Sequence, residues 1–395
     1  MNNNKEKILI LSGTLGDGHN QAAQAILEAA RFYRPGAEVE IVDFLEWTHP
    51  YLHTFGKFCY LQWVKGLPSL YGYLYRKTRD DNKLSSLFKS IKSFSTDKML
   101  RLLQEIKPTV VVSTFPGAAA AMSFLKSNLM TDIPTVTVIT DYTDHSYWVH
   151  PFTDRYIVGA EHVKQALLKH HVPDERIVVT GIPIKLSFTY SYDRIMLRDK
   201  YGLDRERPIV LVMGGGDGLI GKQFLSFIVA NELLTSVQFI IVCGRNERLR
   251  QSLVQELCDV DDDIRERVLV TGFVNHVHEL MALSDLIVTK AGGLTVSEAL
   301  ALELPMILYR PLPGQEQANS AYLVNLGVAL EASNASDLKK RLQQVTEDKS
   351  LLMELRNHAR SNHIKEGAYY ALVAILEAQN DSVTSSGIPM VYANA

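Results

Sequence analysis

The segment KAGGLTVSEALALELPMILYRPLPGQEQAN, residues 290–319, carries the strongest fold signal in this 395-residue chain. It follows a short apolar run typical of a buried strand, Leu286–Thr289, and turns at Gly292 and Gly293 into a helical pattern. A second apolar run, Met306–Tyr309, leads to a Pro-Gly turn. Strand, glycine turn, helix and strand in this order predict one unit of a parallel α/β sheet.

The same segment brings two kinds of ligand-binding group together. Glycines at the turn allow a ligand to approach the backbone, and free N–H groups at a helix start attract phosphate. Side chains of Gln315 and Glu316 on the second turn can bind hydroxyl groups. This combination suits a sugar nucleotide. Thr295-Val-Ser-Glu298 also fits a capping box, in which Glu298 only folds back on the helix start, so both interpretations are open.

The composition is that of a globular protein, with 46% apolar and 22% charged residues. A chain of this length is expected to form two domains. No apolar run approaches the ~20 residues that span a bilayer. The N-terminal MNNNKEKILIL is interpreted as a first strand rather than a signal peptide. Three widely spaced cysteines show no metal-ligand pattern and indicate a reduced, cytosolic setting.

Two series of short apolar runs alternate with helical stretches, which predicts two doubly wound α/β domains with parallel sheets. In such sheets, ligands bind beyond the carboxyl ends of the strands, so we expect a cleft that faces both sets of strand ends. The first series is Lys7–Leu11, Val39–Asp43, Thr109–Ser113, Thr135–Thr140, Tyr156–Val158 and Ile177–Thr180. The second series is Ile209–Met213, Phe239–Val242, Val268–Thr271, Leu286–Thr289 and Met306–Leu308.

The domain limits follow from these series. We expect an N-terminal domain over residues 1–190 and a C-terminal domain over residues 191–365. Lys185–Pro208 is polar, lacks a strand pattern and is the expected linker. Residues 366–395 are predicted to form a helix that packs back on the first domain, followed by a loose tail after Gln379.

Two glycine loops have the glycine spacing of a Walker P-loop but lack its functional residues. The loop at residues 13–18 is followed by His19 where that motif needs Lys. The loop at residues 216–221 is followed by Gln223 at the position that requires Ser or Thr. A P-loop NTPase is therefore disfavoured, although each loop can still present backbone N–H groups to negative charge.

An aromatic and basic segment indicates an anionic partner surface. Residues 53–107 hold eight Lys and three Arg against three Asp and one Glu, in a chain with a net charge of −3. Rings with cations among them suit a membrane interface, although some of these rings can instead fill the first domain's core. No nucleic-acid-binding signature is present, so an anionic membrane is the predicted partner. The predicted membrane residues are Phe55, Lys57, Phe58, Trp63, Lys65, Arg76, Lys77 and Arg79.

Taken together, these motifs resemble the glycosyltransferases with the GT-B fold. The likeness is strongest to the group containing the lipid II-forming GlcNAc transferase, plant monogalactosyldiacylglycerol synthase and bacterial processive diacylglycerol glucosyltransferases. It runs from the first strand to about Gly327, and the turn Pro313–Glu316 is similar to that of the diacylglycerol branch. The resemblance implies two Rossmann-like doubly wound domains facing a central cleft.

The resemblance also implies an activity. It is the inverting transfer of glucose from UDP-glucose to the 3-hydroxyl of 1,2-diacylglycerol, with further glucoses added to the product. A UDP-galactose-dependent monogalactosyldiacylglycerol synthase and a non-catalytic UDP-sugar sensor are the alternatives. The expected location is the cytoplasmic face of the cell membrane, as a peripheral protein.

On the acceptor side, His19 is the predicted catalytic base. An alcohol needs a base as it attacks the anomeric carbon, and imidazole is a neutral base near pH 7. The alternative is a polar residue at a helix start, but the family's G-x-G-H motif, here Gly16–His19, favours the base. Gly18 belongs to the same motif. Asp141, His145 and Trp148 resemble a family segment near the cleft, where they would orient the base or the acceptor or form a structural turn.

On the donor side, the resemblance implies that residues 272–274 hold uracil, Glu298 the ribose, and Gln315 and Glu316 the sugar, with help from Asn319. No metal or other cofactor is expected to be required, because helix N-termini can stabilise the departing UDP. The acidic run Asp261–Asp263 is interpreted as a solvated loop. The complete predicted donor set is Gly216, Arg245, Gly272, Phe273, Val274, Gly293, Leu294, Thr295, Glu298, Gly314, Gln315, Glu316 and Asn319.

Overall fold

The structure, a computed structural model, describes residues 6–13, 17–48, 96–143, 145–214 and 237–385. The chain divides into two compact units, one formed by Met1–Leu186 with Glu366–Ala395 and the other by Ser187–Lys365. Some sequence-based predictions fall outside the described residues. These are Gly216 and the predicted membrane residues Phe55, Lys57, Phe58, Trp63, Lys65, Arg76, Lys77 and Arg79.

The first unit contains a six-stranded parallel sheet in the order β2-β1-β3-β4-β5-β6. Its strands are β1 (Lys7–Ser12), β2 (Glu38–Asp43), β3 (Val110–Ser113), β4 (Thr135–Val138), β5 (Arg155–Val158) and β6 (Ile177–Val179). Its helices include α1 (Asp17–Tyr33), α2 (Phe44–Thr48), α3 (Thr96–Ile106), α4 (Pro116–Ser127) and α5 (Glu161–Lys169). The central strands are apolar and buried, as expected of a parallel sheet covered on both faces.

The second unit contains a second six-stranded parallel sheet, in the order β12-β11-β10-β7-β8-β9. Its strands are β7 (Ile209–Met213), β8 (Gln238–Val242), β9 (Val268–Thr271), β10 (Leu286–Thr289), β11 (Met306–Tyr309) and β12 (Ala329–Ala332). Its helices include α6 (Arg194–Lys200), α7 (Glu247–Cys258), α8 (Asp262–Arg265), α9 (Val277–Leu283), α10 (Gly293–Ala301), α11 (Gln315–Asn325), α12 (Ala335–Glu347) and α13 (Lys349–Asn362).

The order of strands reverses once in each sheet, and this reversal locates the expected binding sites. In the first sheet β1 pairs with β2 on one side and with β3 on the other. In the second sheet β7 pairs with β8 and with β10. Connections leave in opposite directions at these points and open a crevice at the carboxyl ends of the strands. The prediction of two doubly wound α/β sheets is confirmed.

The C-terminal helix α14 (Gly367–Ser385) packs on the first sheet, not on the second. Its small and aliphatic residues, among them Ala371 and Ile375, share one buried cluster with Ile8 and Val112 of the sheet. A Cβ at Gly367 would lie 3.1 Å from the Thr180 carbonyl oxygen, so glycine permits this close approach. The helix continues past Gln379, where the sequence pattern predicted a loose tail.

The polar segment predicted as a linker contains α6, which ion pairs hold to the second unit. Arg194 and Arg198 contact the two carboxylate oxygens of Asp285 at 2.6 and 2.8 Å, and the backbone N–H of Ile209 also donates to that carboxylate. Burial alone would raise the pKa of Asp285, but the arginine charges outweigh it and the net pKa is lowered. The N-terminal segment of the first unit ends at Leu186, close to the expected limit at residue 190.

None of the helices in the described part of the chain combines the length and the hydropathy that crossing a bilayer requires.

The sequence pattern missed one strand, β12. Its sequence ALEA contains no β-branched or aromatic residue, so it lacks the usual composition of a strand. Pairing with β11 nevertheless makes it the edge of the second sheet.

Candidate active site

His19 lies at the point where strand order reverses in the first sheet. Helix α1 begins at Asp17, so Gly18 and His19 belong to its first turn rather than to a loop before a helix at Gln21. The helix follows β1 closely, and β1 pairs directly with β3. His19 therefore projects from the edge of the sheet where a doubly wound fold binds its ligands.

Residues that follow two neighbouring strands, β3 and β4, surround the His19 ring. Phe115, directly after β3, makes an edge-to-face contact with a centroid distance of 5.5 Å. Trp148, in a short helical turn after β4, contacts the ring at 5.9 Å. The hydroxyl oxygen of Thr140 lies 3.0 Å from His19 Nδ1 in a hydrogen bond. Two apolar rings and one hydroxyl thus enclose the imidazole.

This environment keeps the His19 imidazole neutral at physiological pH. Removal from water lowers the pKa of the imidazole from 6.5 to about 4, and a hydrogen bond with the Thr114 backbone only partly offsets that effect. At neutral pH the ring therefore has a lone pair on one nitrogen and can accept a proton. A protonated imidazole could not act as a general base.

Two glycines make room for the Phe115 ring. A Cβ at Gly13 would lie 2.8 Å from two ring carbons of Phe115, Cγ and Cδ2. A Cβ at Gly117 would lie 2.8 Å from Cε1, on the opposite side of the ring. Neither distance is compatible with an ordinary van der Waals contact. The position of Phe115, and with it the packing of His19, therefore depends on glycine at both positions.

The segment from Asp141 to Trp148 contributes unequally to this site. His145 is buried, and its Nδ1 accepts a hydrogen bond from the Tyr147 N–H, which caps the helical turn Ser146–Trp148. Asp141 is also buried, next to Thr140 in the chain. Trp148 contacts the His19 ring directly, whereas His145 accepts the hydrogen bond that caps the turn containing Trp148.

Two buried polar atoms next to His19 have no hydrogen-bond partner among the residues that the structure describes. They are the hydroxyl of Thr114 and the indole N–H of Trp148. A buried polar group without a partner costs ~1–3 kcal/mol of stability. A functional role is one explanation of such groups, and a bound ligand would satisfy both of them here.

In the second unit, the structure excludes the capping-box interpretation of Thr295 and Glu298. Helix α10 begins at Gly293 with Gly292 as its N-cap, and no side chain caps it. Thr295 therefore lies inside the first turn, and Glu298 lies in the second turn instead of folding back on the helix start. Glu298 and Leu294 are buried close to the loop that joins β10 to α10.

Asn319 and Glu316 hold the neighbouring loops in place. The Asn319 side chain is fully buried and its Nδ2 donates to the Ala291 carbonyl at 2.8 Å, which joins α11 to the loop after β10. Glu316 accepts a 2.8 Å hydrogen bond from the Leu312 N–H and closes the turn before α11. Gly314, at a φ of 104°, is the N-cap that places Gln315 at the first helical position.

Arg245 and Phe273 meet at the ends of β8 and β9. The Arg245 guanidinium lies 5.3 Å from the centre of the Phe273 ring, a cation–π contact. Gly272 and Val274 flank this ring in the chain. The described members of the predicted donor set thus follow β8, β9, β10 and β11, all at one edge of the second sheet.

The acidic run Asp261–Asp263 is exposed to solvent, as predicted from the sequence, but its last two residues are helical rather than part of a loop. It caps and enters the short helix α8, where Asp262 pairs with Arg265 and Asp263 pairs with the buried Arg267. Among the described residues, no group of three or more His, Cys, Asp or Glu is arranged to hold a metal ion. That no metal is required stays a prediction.

Known proteins are similar to this chain in fold and in sequence. A family model described as monogalactosyldiacylglycerol (MGDG) synthase matches residues 19–184, and one described as glycosyltransferase family 28 C-terminal domain matches residues 209–372. Among solved structures, MnaA of S. aureus with UDP has a TM-score of 0.63 at 16% identity, over 96% of this chain and 98% of that one. MurG of Acinetobacter baumannii has a TM-score of 0.59 at 13% identity, over 94% and 99%.

The fold is that of the GT-B glycosyltransferases, as the sequence resemblance implied. A curated relative, the processive diacylglycerol beta-glucosyltransferase of Bacillus cytotoxicus, is 33% identical over 97% of this chain and 96% of its own length. The chain belongs to the family of the processive diacylglycerol beta-glucosyltransferases, and it is a glycosyltransferase. The expected family is therefore confirmed.

Sequence reasoning did not identify every residue around His19. Phe115 follows β3 immediately before a Pro-Gly pair, and Thr140 follows β4, so both lie at the edge where ligands bind. Their positions relative to β1 depend on strand order, which the chain sequence does not state directly. The signal available was that each polar or aromatic residue stands just beyond a buried strand.

Substitution of Gly13 by Ala is expected to disturb His19 through Phe115. The added methyl forces the Phe115 ring away, at a cost of ~1–3 kcal/mol in the free energy of unfolding. Water then reaches the imidazole, and the pKa of His19 rises from about 4 towards 6.5. Urea unfolding and an NMR titration of the histidines measure both effects. Gly36→Ala is the matched control, because nothing lies within 4 Å of a Cβ there. Equal results for the two variants would contradict the role assigned to Gly13.

His19 of the unsubstituted protein is expected to titrate with a midpoint of about 4. Because this pKa lies below the value of 6.5 in the unfolded chain, the unfolded chain binds more protons between these pH values. The contribution of His19 to stability is therefore complete above pH 6.5 and is lost as the pH falls towards 4. An NMR titration, with His19→Gln to assign the signal, measures the midpoint. A midpoint near 6.5 would show that the ring is solvated.

Proposed function

We propose that the chain transfers glucose from UDP-glucose to the 3-hydroxyl of 1,2-diacylglycerol, and adds further glucoses to that product. The observation that carries the proposal is the neutral, enclosed His19 imidazole at the reversal of strand order in the first sheet. Identity to a relative named for this activity runs through both units, which supports the same donor and acceptor.

In the proposed reaction, the acceptor hydroxyl attacks the anomeric carbon of glucose. His19 takes the hydroxyl proton, the new carbon–oxygen bond forms, and the bond between that carbon and the diphosphate breaks. UDP leaves with the electron pair. A single displacement on the face opposite the leaving group inverts the configuration and gives a β-glucoside. No covalent intermediate with the protein is formed.

In the second unit, the proposed donor contacts lie on loops that the hydrogen bonds of Asn319 and Glu316 fix. Backbone N–H groups at the start of α10 would stabilise the negative charge of the diphosphate, so we propose that no metal is required. The Glu298 carboxylate accepts from the ribose hydroxyls, and Gln315 binds the sugar. Uracil lies beside the turn formed by residues 272–274.

A UDP-galactose donor is the second candidate, because the matching family model over residues 19–184 is that of monogalactosyldiacylglycerol synthase. Glucose and galactose differ in the orientation of the 4-hydroxyl, and a polar side chain such as Gln315 can bind either orientation. The two donors are therefore compared directly in the experiment below.

We also propose that the protein acts at the cytoplasmic face of the cell membrane, as a peripheral protein. The acceptor is a membrane lipid, so the site must reach the bilayer surface. The aromatic and basic residues between Phe55 and Arg79 supply the interface, with rings at the headgroup level and cations on anionic lipid.

The first test offers the purified protein vesicles of diacylglycerol and anionic phospholipid with either UDP-glucose or UDP-galactose. Mass spectrometry of the lipids is expected to show hexose on diacylglycerol with UDP-glucose, followed by a ladder of higher products. His19→Ala should lower kcat by at least ~10²-fold, because the general base is lost, while UDP binding persists. His170→Ala, at the end of α5, is the control. UDP binding without any glycolipid would favour a sensor, and full activity of His19→Ala would remove His19 as the base.

The second test concerns the membrane surface. Replacing Lys57, Lys65, Arg76, Lys77 and Arg79 by Gln is expected to abolish sedimentation with anionic vesicles at moderate salt, since each cation contributes ~1 kcal/mol near such a surface. A matched variant with five exposed lysines and arginines of the second unit replaced, Lys200, Arg205, Arg248, Lys340 and Lys349, should still bind. Unchanged binding of the first variant would place the interface elsewhere.

A further inference from the structure

The direction of the His19 ring needs an explanation that its packing does not supply. Phe115 and Trp148 limit the space around the ring, but apolar contacts do not distinguish one imidazole nitrogen from the other. A general base needs its lone pair on the nitrogen that faces the substrate. A directional contact must therefore select the orientation and the tautomer of the ring.

Thr140 provides such a contact. Its Oγ1 lies 3.0 Å from His19 Nδ1, and in the described part of the chain it is the one side chain that shares a hydrogen bond with this ring, which the Thr114 backbone also contacts by a hydrogen bond. Among the described residues, no carboxylate contributes to the shift of the His19 pKa, which burial and the Thr114 backbone account for. A neutral hydroxyl thus occupies the position where many histidine bases have an acidic partner.

The Thr140 hydroxyl is itself held firmly. Thr140 is only 3% exposed and follows β4 by two residues. The preceding Ile139 extends the sheet, because its N–H donates to the Ile157 carbonyl at 2.9 Å. A β-branched side chain also has few rotamers available. The hydroxyl is therefore a fixed point at the end of the strand, suited to orient a ring on the neighbouring helix.

We propose that Thr140 is a positioning residue that accepts a hydrogen bond from His19 Nδ1–H and so leaves the lone pair on Nε2. The inference rests on the proposed function of His19 as the general base. On proton transfer, the acceptor O–H bond breaks and an Nε2–H bond forms. The imidazolium then still donates Nδ1–H to Thr140 Oγ1. The same hydrogen bond serves the ring before and after the transfer, so no reorganisation is required there.

The test compares Thr140→Val, which keeps the shape and removes the hydroxyl, with Thr140→Ser, which keeps the hydroxyl. We expect Thr140→Val to lower kcat by ~10–100-fold with KM for UDP-glucose within about twofold, as for a misdirected catalytic group. Thr140→Ser should retain kcat within about threefold, as expected when the orienting hydroxyl is kept. Thr137→Val, at a buried threonine of β4 that shares no hydrogen bond with His19, is the matched control.

A second readout does not need activity. Nitrogen-15 NMR at pH 7 is expected to show His19 as the Nδ1–H tautomer in the wild type and as a mixture in Thr140→Val. Loss of kcat in Thr140→Val without a change of tautomer would indicate a merely structural effect, and so would equal losses in Thr137→Val. A wild-type Nε2–H tautomer, or a kcat of Thr140→Val within about twofold of wild type, would overturn the proposal. If the wild type makes no glycolipid, the proposed function fails, while the tautomer comparison still tests Thr140.

Discussion

Parallel pairing at the two reversals of strand order controls the rest of this molecule. β1 is hydrogen-bonded to both β2 and β3, and β7 to both β8 and β10. Parallel pairing puts the carboxyl ends of all strands of a sheet at one edge, and the reversal separates the connections that follow them. Residues far apart in the chain, such as His19 and Thr140, become neighbours for this reason alone. In the second unit, the same arrangement puts the glycine turn at 292–293 beside the end of β7.

The environment of His19 favours a neutral ring at the expense of basicity. Burial lowers the pKa to about 4, which keeps the lone pair available over the whole physiological range. The same shift makes the imidazole a weaker proton acceptor, because efficient general bases have a pKa near the working pH. Such a base takes a proton readily only when the hydroxyl is already losing it. In the proposed reaction, departure of UDP is therefore expected to be well advanced as the acceptor attacks, so backbone N–H groups that stabilise the diphosphate would supply a large share of the catalysis.

Much of the fold could be predicted from the sequence, because buried parallel strands are short apolar runs separated by glycines and polar turns. Leu286–Thr289 and Ile209–Met213 have the predicted limits, whereas β12 has none of the expected composition. Helix starts were less predictable. α1 begins at Asp17 and α10 at Gly293, and in both cases glycine, which weakens helix propensity, stands in the first turn. The contacts of α6 with Asp285 are long-range, so local patterns could not reveal them.

The candidate site shows why a motif and a binding contact are different things. Asn319, Glu316 and His145 belong to segments that resemble a family of transferases, yet each makes a hydrogen bond to the protein's own backbone. These bonds join one loop to the next or cap a turn. A loop at a sheet edge has few apolar contacts to hold it, so its geometry depends on such side chains. Each of these three motif residues therefore has a structural role of its own, in fixing a loop or a turn. We therefore expect a substitution of Asn319 to misplace the loop after β10 as a whole rather than to remove a single substrate contact. Binding of the nucleotide and binding of its sugar should then weaken together.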